Sequence, residues 1–139
     1  MRWEEGLIIS CLLDTDVCID YLRKREYAKN LFGKWMGKGL LSISAITHLE
    51  IHAGMRTGEE SVTGDFLNNL VTIPVDELVA CSAGNIIHHL KAKGLTMSPM
   101  DSIIAASALF TSVPLITNNI DDYPVSEISG LVVVKGIGK

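Results

Sequence analysis

The chain has 139 residues, 47% of them hydrophobic, with 12 Lys and Arg against 16 Asp and Glu and a formal net charge of −4. That length makes one domain, 1–139, with enough apolar residues for a real core, and the acidic balance excludes a generic, strongly basic nucleic-acid binder. No apolar run approaches the roughly 20 residues that span a bilayer and MRWEEGLIIS lacks a signal-peptide pattern, so the expectation is a soluble, cytoplasmic protein with no membrane partner.

In chain order, residues 7–13 (LIISCLL) read as a strand, and 17–38 as one or two helices broken near Lys24-Arg25. LLSIS at 40–44 reads as a short strand, after which Ser44 caps a helix from Ala45 to about Met55. Residues 59–70 form a further helix, VTIPV at 71–75 a strand, and 77–93 a long helix stopped by Gly94. SPMDSIIAASALF opens as a helix with Ser98 as N-cap and Pro99 at the first helical position. VPLIT at 113–117 and LVVV at 131–134 complete the strands. Apolar strands alternating with amphipathic helices predict an α/β fold, a central mostly parallel sheet of four to five strands covered by helices on both faces.

Cys11, Cys18 and Cys81 are odd in number and have no metal-ligand spacing. Cys11 and Cys18, in apolar surroundings, are expected to be buried free thiols. The basic residues Arg23, Lys24, Arg25, Lys29, Lys34 and Lys38 crowd one region. That pattern suits a solvated helix face and a phosphate-contacting edge equally.

Ligand sites in open α/β sheets form outside the carboxyl ends of the strands. Asp14, with Asp16 two residues on, ends the first strand there, and Asp121 and Asp122 follow the strand that ends at Thr117. Asp101 stands in the first turn of its helix, where a carboxylate also serves as an ordinary partner of free N–H groups. Glu50 neighbours Ile46 and Ala53 on one helix face, and a Glu held on an apolar face needs a partner or a cation. Singly each acid has a structural explanation. Together they describe an acidic cluster at one rim of a sheet.

Four segments in order, LLDTDVCIDYL, SISAITHLEIHAG, SPMDSIIAASAL and LITNNIDDY, resemble the PIN-domain ribonucleases, specifically the toxin subunit of VapBC-type toxin–antitoxin pairs. The resemblance runs from about Leu12 to Val134. It implies a PIN-like fold whose catalytic acids are Asp14, Glu50, Asp101 and Asp122, with Asp14, Asp101 and Asp122 as ligands of Mg²⁺ or Mn²⁺. Asp122 is selected because it precedes an aromatic, Tyr123; Asp121 stays open as a substitute. Supporting positions are Thr15, Thr47 and Asn119, and Asp16 stands where the family usually has Asn. His48 and His52 match no family ligand and read as helix-surface residues.

The same resemblance implies an RNA substrate, a cognate antitoxin and a homodimer. The chemistry agrees with it. Clustered carboxylates repel unless a cation neutralises them, and hard oxygen donors suit Mg²⁺ or Mn²⁺ better than zinc. Such an ion lowers the pKa of a bound water and offsets charge building on a phosphate. Two alternatives remain at this point. One is a haloacid-dehalogenase-type phosphatase with Asp14 as nucleophile, Asp16 as acid and Lys91 or Lys93 as the required lysine. The other is a PIN-like docking module without catalysis.

Overall fold

The computed structural model describes residues 8–137; Leu7, in the expected first strand, lies outside the described residues. Five strands, β1 (Ile9–Leu13), β2 (Leu40–Ser44), β3 (Val71–Ile73), β4 (Leu115–Thr117) and β5 (Val133–Lys135), form one sheet in the order β3-β2-β1-β4-β5. Every neighbouring pair is parallel. Six helices connect them: α1 (Thr15–Leu22), α2 (Glu26–Met36), α3 (Ala45–Ala53), α4 (Glu60–Asn68), α5 (Glu77–Lys91) and α6 (Pro99–Thr111).

Local chemistry sets most of the boundaries. Lys24 takes a positive φ of 62° between α1 and α2, which ends the first helix at the expected break. Ser44 and Ser98 cap α3 and α6 by accepting from Ile46 N (3.2 Å) and Asp101 N (3.1 Å). α5 stops short of Lys93: its C-cap is Ala92, and Gly94 at φ +74° lets Leu95 N–H reach back to Leu90 O. β3 ends before Pro74, which has no N–H for a ladder. β4 is shorter than 113–117, and β5 begins two residues later than expected, at Val133. Two 3-10 turns, Ile120–Asp122 and Val125–Glu127, follow β4 where the sequence suggested no element.

The alternation of a strand divides the core into two layers. Leu12, Ile73 and Leu115 pack with Leu90, Ile104 and Ala105 beneath α5 and α6. Cys11, Leu13, Ile43 and Ile116 pack with Val17, Cys18, Phe32 and Leu67 beneath α1, α2 and α4. Ile9 joins the first layer three residues before Leu12, because the register slips between Ile9 and Cys11. On the second face Tyr21, Phe32 and Phe66 stack with centroids 4.5, 5.1 and 6.0 Å apart, tying α1, α2 and α4 together. Each such pair adds about 0.5–1.5 kcal/mol beyond its buried area. Among the described residues no helix is long and apolar enough to cross a membrane.

Two glycines separate backbone need from mere tolerance. At Gly39, which turns the chain into β2, an added Cβ would lie 2.6 Å from the Ile8 carbonyl oxygen, while at Gly33 inside α2 it would meet nothing within 4 Å. Gly39→Ala is expected to destabilise by about 1–3 kcal/mol, and Gly33→Ala to stabilise by about 0.5–1 kcal/mol through helix propensity. Urea denaturation of both variants checks this; equal effects of one sign would refute the contrast.

Candidate active site

The site is built around the end of β1. Asp14 is the N-cap of α1, its Oδ1 accepting from Thr15 N at 2.7 Å, so the strand-to-helix turn fixes the carboxylate at the rim. Its other oxygen, Oδ2, accepts from the hydroxyls of Thr117 (2.8 Å) and Tyr123 (2.9 Å). Thr117 ends β4 beside β1, and Tyr123 follows the 3-10 turn after it. Asp14 is only 6% exposed. Burial, then the charge of Asp16, pushes its carboxyl up to about 6, against the lowering effect of the three donors.

Asp101 reaches the same place from another element. The Ser98 cap sets the first turn of α6 at the rim, and Asp101 Oδ1 stands 3.4 Å from the Tyr123 hydroxyl. Its carboxyl is raised first by partial burial and further by Asp14 and Asp122. Asp122 is exposed but near enough to bear on Asp101, and Asp121, also exposed, stands beside it in the chain. Asp101, Asp121 and Asp122 share a cleft of about 330 Å³ with Leu95, Met97, Ser98 and Pro124.

Glu50 stands apart from that bridge but linked to it. Its Oε1 accepts from the Thr15 hydroxyl at 2.5 Å, and Thr15 in turn lies 3.1 Å from the Thr47 hydroxyl. The chain Thr47–Thr15–Glu50 therefore anchors the second acid to the residue next to Asp14. Asp16 faces differently: Oδ2 accepts from Asn118 N at 2.8 Å and Oδ1 from Val17 N at 2.7 Å. Burial is the main cause of its raised carboxyl. Asn119 is exposed, and its contribution is a backbone N–H to Thr117 (3.0 Å). His48, half-buried, bonds Thr72 of β3 at 2.8 Å and so ties α3 to the sheet instead of lying on the helix surface, while His52, exposed, bonds the carbonyl of His48 at 2.7 Å within α3.

Sequence reading passed over three residues that complete the arrangement: Thr117, Tyr123 and Asn118. Thr117 was legible as the last residue of a strand ending on the rim. Tyr123 served only to mark its neighbouring acid, although a hydroxyl beside a carboxylate run is itself a signal. Asn118 has no distinguishing mark in sequence, because its role comes from the folding back of residues 136–137.

The donor set consists of carboxylates and hydroxyls, with no thiol or imidazole bonded into it, and such oxygen donors match a hard divalent cation. Among the described residues, no three His, Cys, Asp or Glu side chains stand close enough to share an ion as they are. The Tyr123 hydroxyl lies between Asp14 and Asp101.

Comparison with known proteins accords with this geometry. Ribonuclease VapC19 of Mycobacterium tuberculosis is 26% identical over 115 residues, 82% of this chain and 92% of that protein. Ribonuclease VapC1 of Methanocaldococcus jannaschii is 31% identical over 109 residues, 78% of this chain and 74% of that protein. Among solved structures, a chain in a toxin–antitoxin complex from Klebsiella pneumoniae matches with a TM-score of 0.78 and 27% identity over 94% of this chain and 100% of that one. The PIN domain model matches residues 11–127, and with the fold and the rim of acids it follows that this chain belongs to the PIN-domain family.

Proposed function

We propose that this chain is a ribonuclease that hydrolyses RNA phosphodiester bonds with a bound Mg²⁺ or Mn²⁺, and that it is the toxin of a toxin–antitoxin pair. The observation that carries the reading is the meeting of Asp14 and Asp101, 87 positions apart in sequence, at one tyrosine hydroxyl on the rim of a parallel sheet. Asp14, Asp101 and Asp122 would hold the cation, which when bound supplies a water of lowered pKa and offsets negative charge on the scissile phosphate. Glu50, held by Thr15, would accept a proton from the attacking water or orient it. The Thr117 hydroxyl and Thr15 N–H aim Asp14 and favour its ionised form against the burial that raises it; with a cation-activated water as the attacking group, no side-chain nucleophile would be required.

A phosphatase using Asp14 and Asp16 is disfavoured by particular contacts. Asp16 is spent on Asn118 N and Val17 N, and Lys93 is paired with Glu127 at 3.3 Å. For the restraining partner, an apolar groove of about 200 Å³ between α1, α3 and α4, walled by Ile19, Leu22, Ile51, Met55 and Val62, offers a seat to an antitoxin segment. A homodimer and a cytoplasmic location belong to the same reading; mass in solution by light scattering tests the dimer.

The first experiment is cleavage of a structured RNA pool with Mg²⁺ or Mn²⁺, wild type against Asp101→Asn. Loss of a ligand worth several kcal/mol of charge stabilisation should lower the rate at least about a hundredfold, and chelator should abolish wild-type activity. Equal rates in both proteins would sink the reading.

The second is pH dependence. Because the Asp14 carboxyl sits at about 6, proton and cation compete there, and Mn²⁺-induced stabilisation should be full at pH 7.5 and fade as pH falls through 6. Without the ion the sign reverses. A folded-state pKa raised from 3.8 to about 6 favours folding below the unfolded value, and that contribution is lost as pH rises through 6. Its size is on the order of 3 kcal/mol. Melting scans from pH 4 to 8, with and without Mn²⁺, test both; parallel curves would contradict the assignment of Asp14 as a ligand.

A further inference from the structure

Among the described residues, Tyr123 is the one side chain that touches two of the proposed ligands at once. The residue is 2% exposed and lies in the core layer beneath α5 and α6 with Leu12, Leu115 and Ile104. Buried packing on that scale holds a ring in one rotamer. The hydroxyl is therefore a fixed point, 2.9 Å from Asp14 Oδ2 and 3.4 Å from Asp101 Oδ1. A phenol has a single proton to give, and the shorter contact assigns it to Asp14.

The geometry limits what Asp14 can offer. With Thr117 and Tyr123 both donating to Oδ2, the lone pairs of that oxygen are occupied; Oδ1 takes only the Thr15 N–H and keeps capacity for another partner. Orientation of this kind, in which a rigid outer group fixes which oxygen of a ligand faces the ion, commonly governs metal affinity. The phenol also bounds the approach of Asp101, so one buried ring sets the relation between an acid on β1 and an acid on α6.

On the footing of the metal-dependent reading above, we propose that Tyr123 is a positioning residue for the cation: its hydroxyl orients Asp14 and spaces Asp101 so that the two carboxylates bind one divalent ion. Asp122 is the adjacent residue in the chain, so anchoring Tyr123 also anchors the third acid.

Tyr123→Phe keeps the ring and removes the hydroxyl. Mn²⁺ titrated into the intact protein, with free ion counted by electron paramagnetic resonance, should give a Kd weakened about 10- to 100-fold in the variant. The melting temperature without added metal should move by only a few degrees, since ring packing is retained. A Kd within twofold of wild type overturns the proposal while leaving the metal-dependent reading intact. Failure of wild type to bind Mn²⁺ at millimolar concentrations overturns both.

A second measurement stands independently of how the variant folds. With 3-fluorotyrosine incorporated at position 123, Mg²⁺ should shift the fluorine resonance, with saturation at the Kd of the ion. A resonance unmoved by Mg²⁺ at concentrations that raise the melting temperature refutes the assignment.

Discussion

Burying a carboxyl group at the tip of the central strand is the constraint around which the rest of this molecule is arranged. Asp14 is 6% exposed, and a charge withdrawn from water to that degree is tolerated only with hydrogen bonds or a counter-charge. Its three donors come from three places, Thr15 on its own helix, Thr117 at the end of β4 and Tyr123 beyond it. The last two cannot be supplied unless β4 lies beside β1, where Asp14 N–H in turn donates to Ile116 O at 2.9 Å. Strand order and site geometry are thus the same fact. The crossover through α5 and α6 that makes β4 a parallel neighbour of β1 also delivers Asp101, because α6 starts on the rim it must leave.

A second ring of bonds holds the loop after β4, and it is centred on Asn118. Its backbone N–H goes to Asp16, its Nδ2 donates to the Tyr27 hydroxyl at 2.6 Å, and its Oδ1 accepts from Ile137 N at 2.9 Å. Tyr27 donates onward to Asp20, which pairs with Arg25 at 3.3 Å. An Asp at position 16, rather than an amide, keeps both its oxygens as acceptors, and it spends both of them on backbone N–H groups at the two ends of the site. The same charge helps to raise Asp14. Gly136 belongs to this ring as well: an added Cβ would stand 2.6 Å from Asn118 Oδ1 and 2.9 Å from Val17 Cγ1. The close of the sheet is therefore packed directly against the residues that steady the acids.

What could be read in advance follows from range. β2, the α1–α2 break and the Ser98–Pro99 start of α6 depend on a few adjacent residues, and their chemistry is written locally. Asp14, Glu50 and Asp101 were legible as candidates because strand ends and helix starts have fixed places in a parallel sheet. The short β4 and the displaced β5 were not, since their limits depend on pairing with partners elsewhere: Leu115 with Val133 and Thr117 with Lys135. Nor was the role of Tyr123, whose hydroxyl acquires meaning only when α6 brings Asp101 within reach. Asn118 and Asn119 are neighbours of like type, and only the fold distinguishes the clamped one from the exposed one.

The acids form a gradient from the interior outward, and this bears on how an acidic protein meets a polyanion. Asp14 is buried, Asp101 half-buried, and Asp122 exposed. Burial drives Asp14 up to about 6, because desolvation penalises a carboxylate withdrawn from water. One incoming cation would relieve the repulsion among them. A divalent ion held there would remove negative charge where a phosphate would approach. The net charge of −4 is then a poor guide to affinity for RNA, since much of the charge that opposes binding is concentrated where a cation would cancel it. Arg23 and Lys24 are exposed at the turn between α1 and α2, and any contact they made with phosphates would carry affinity without selecting sequence.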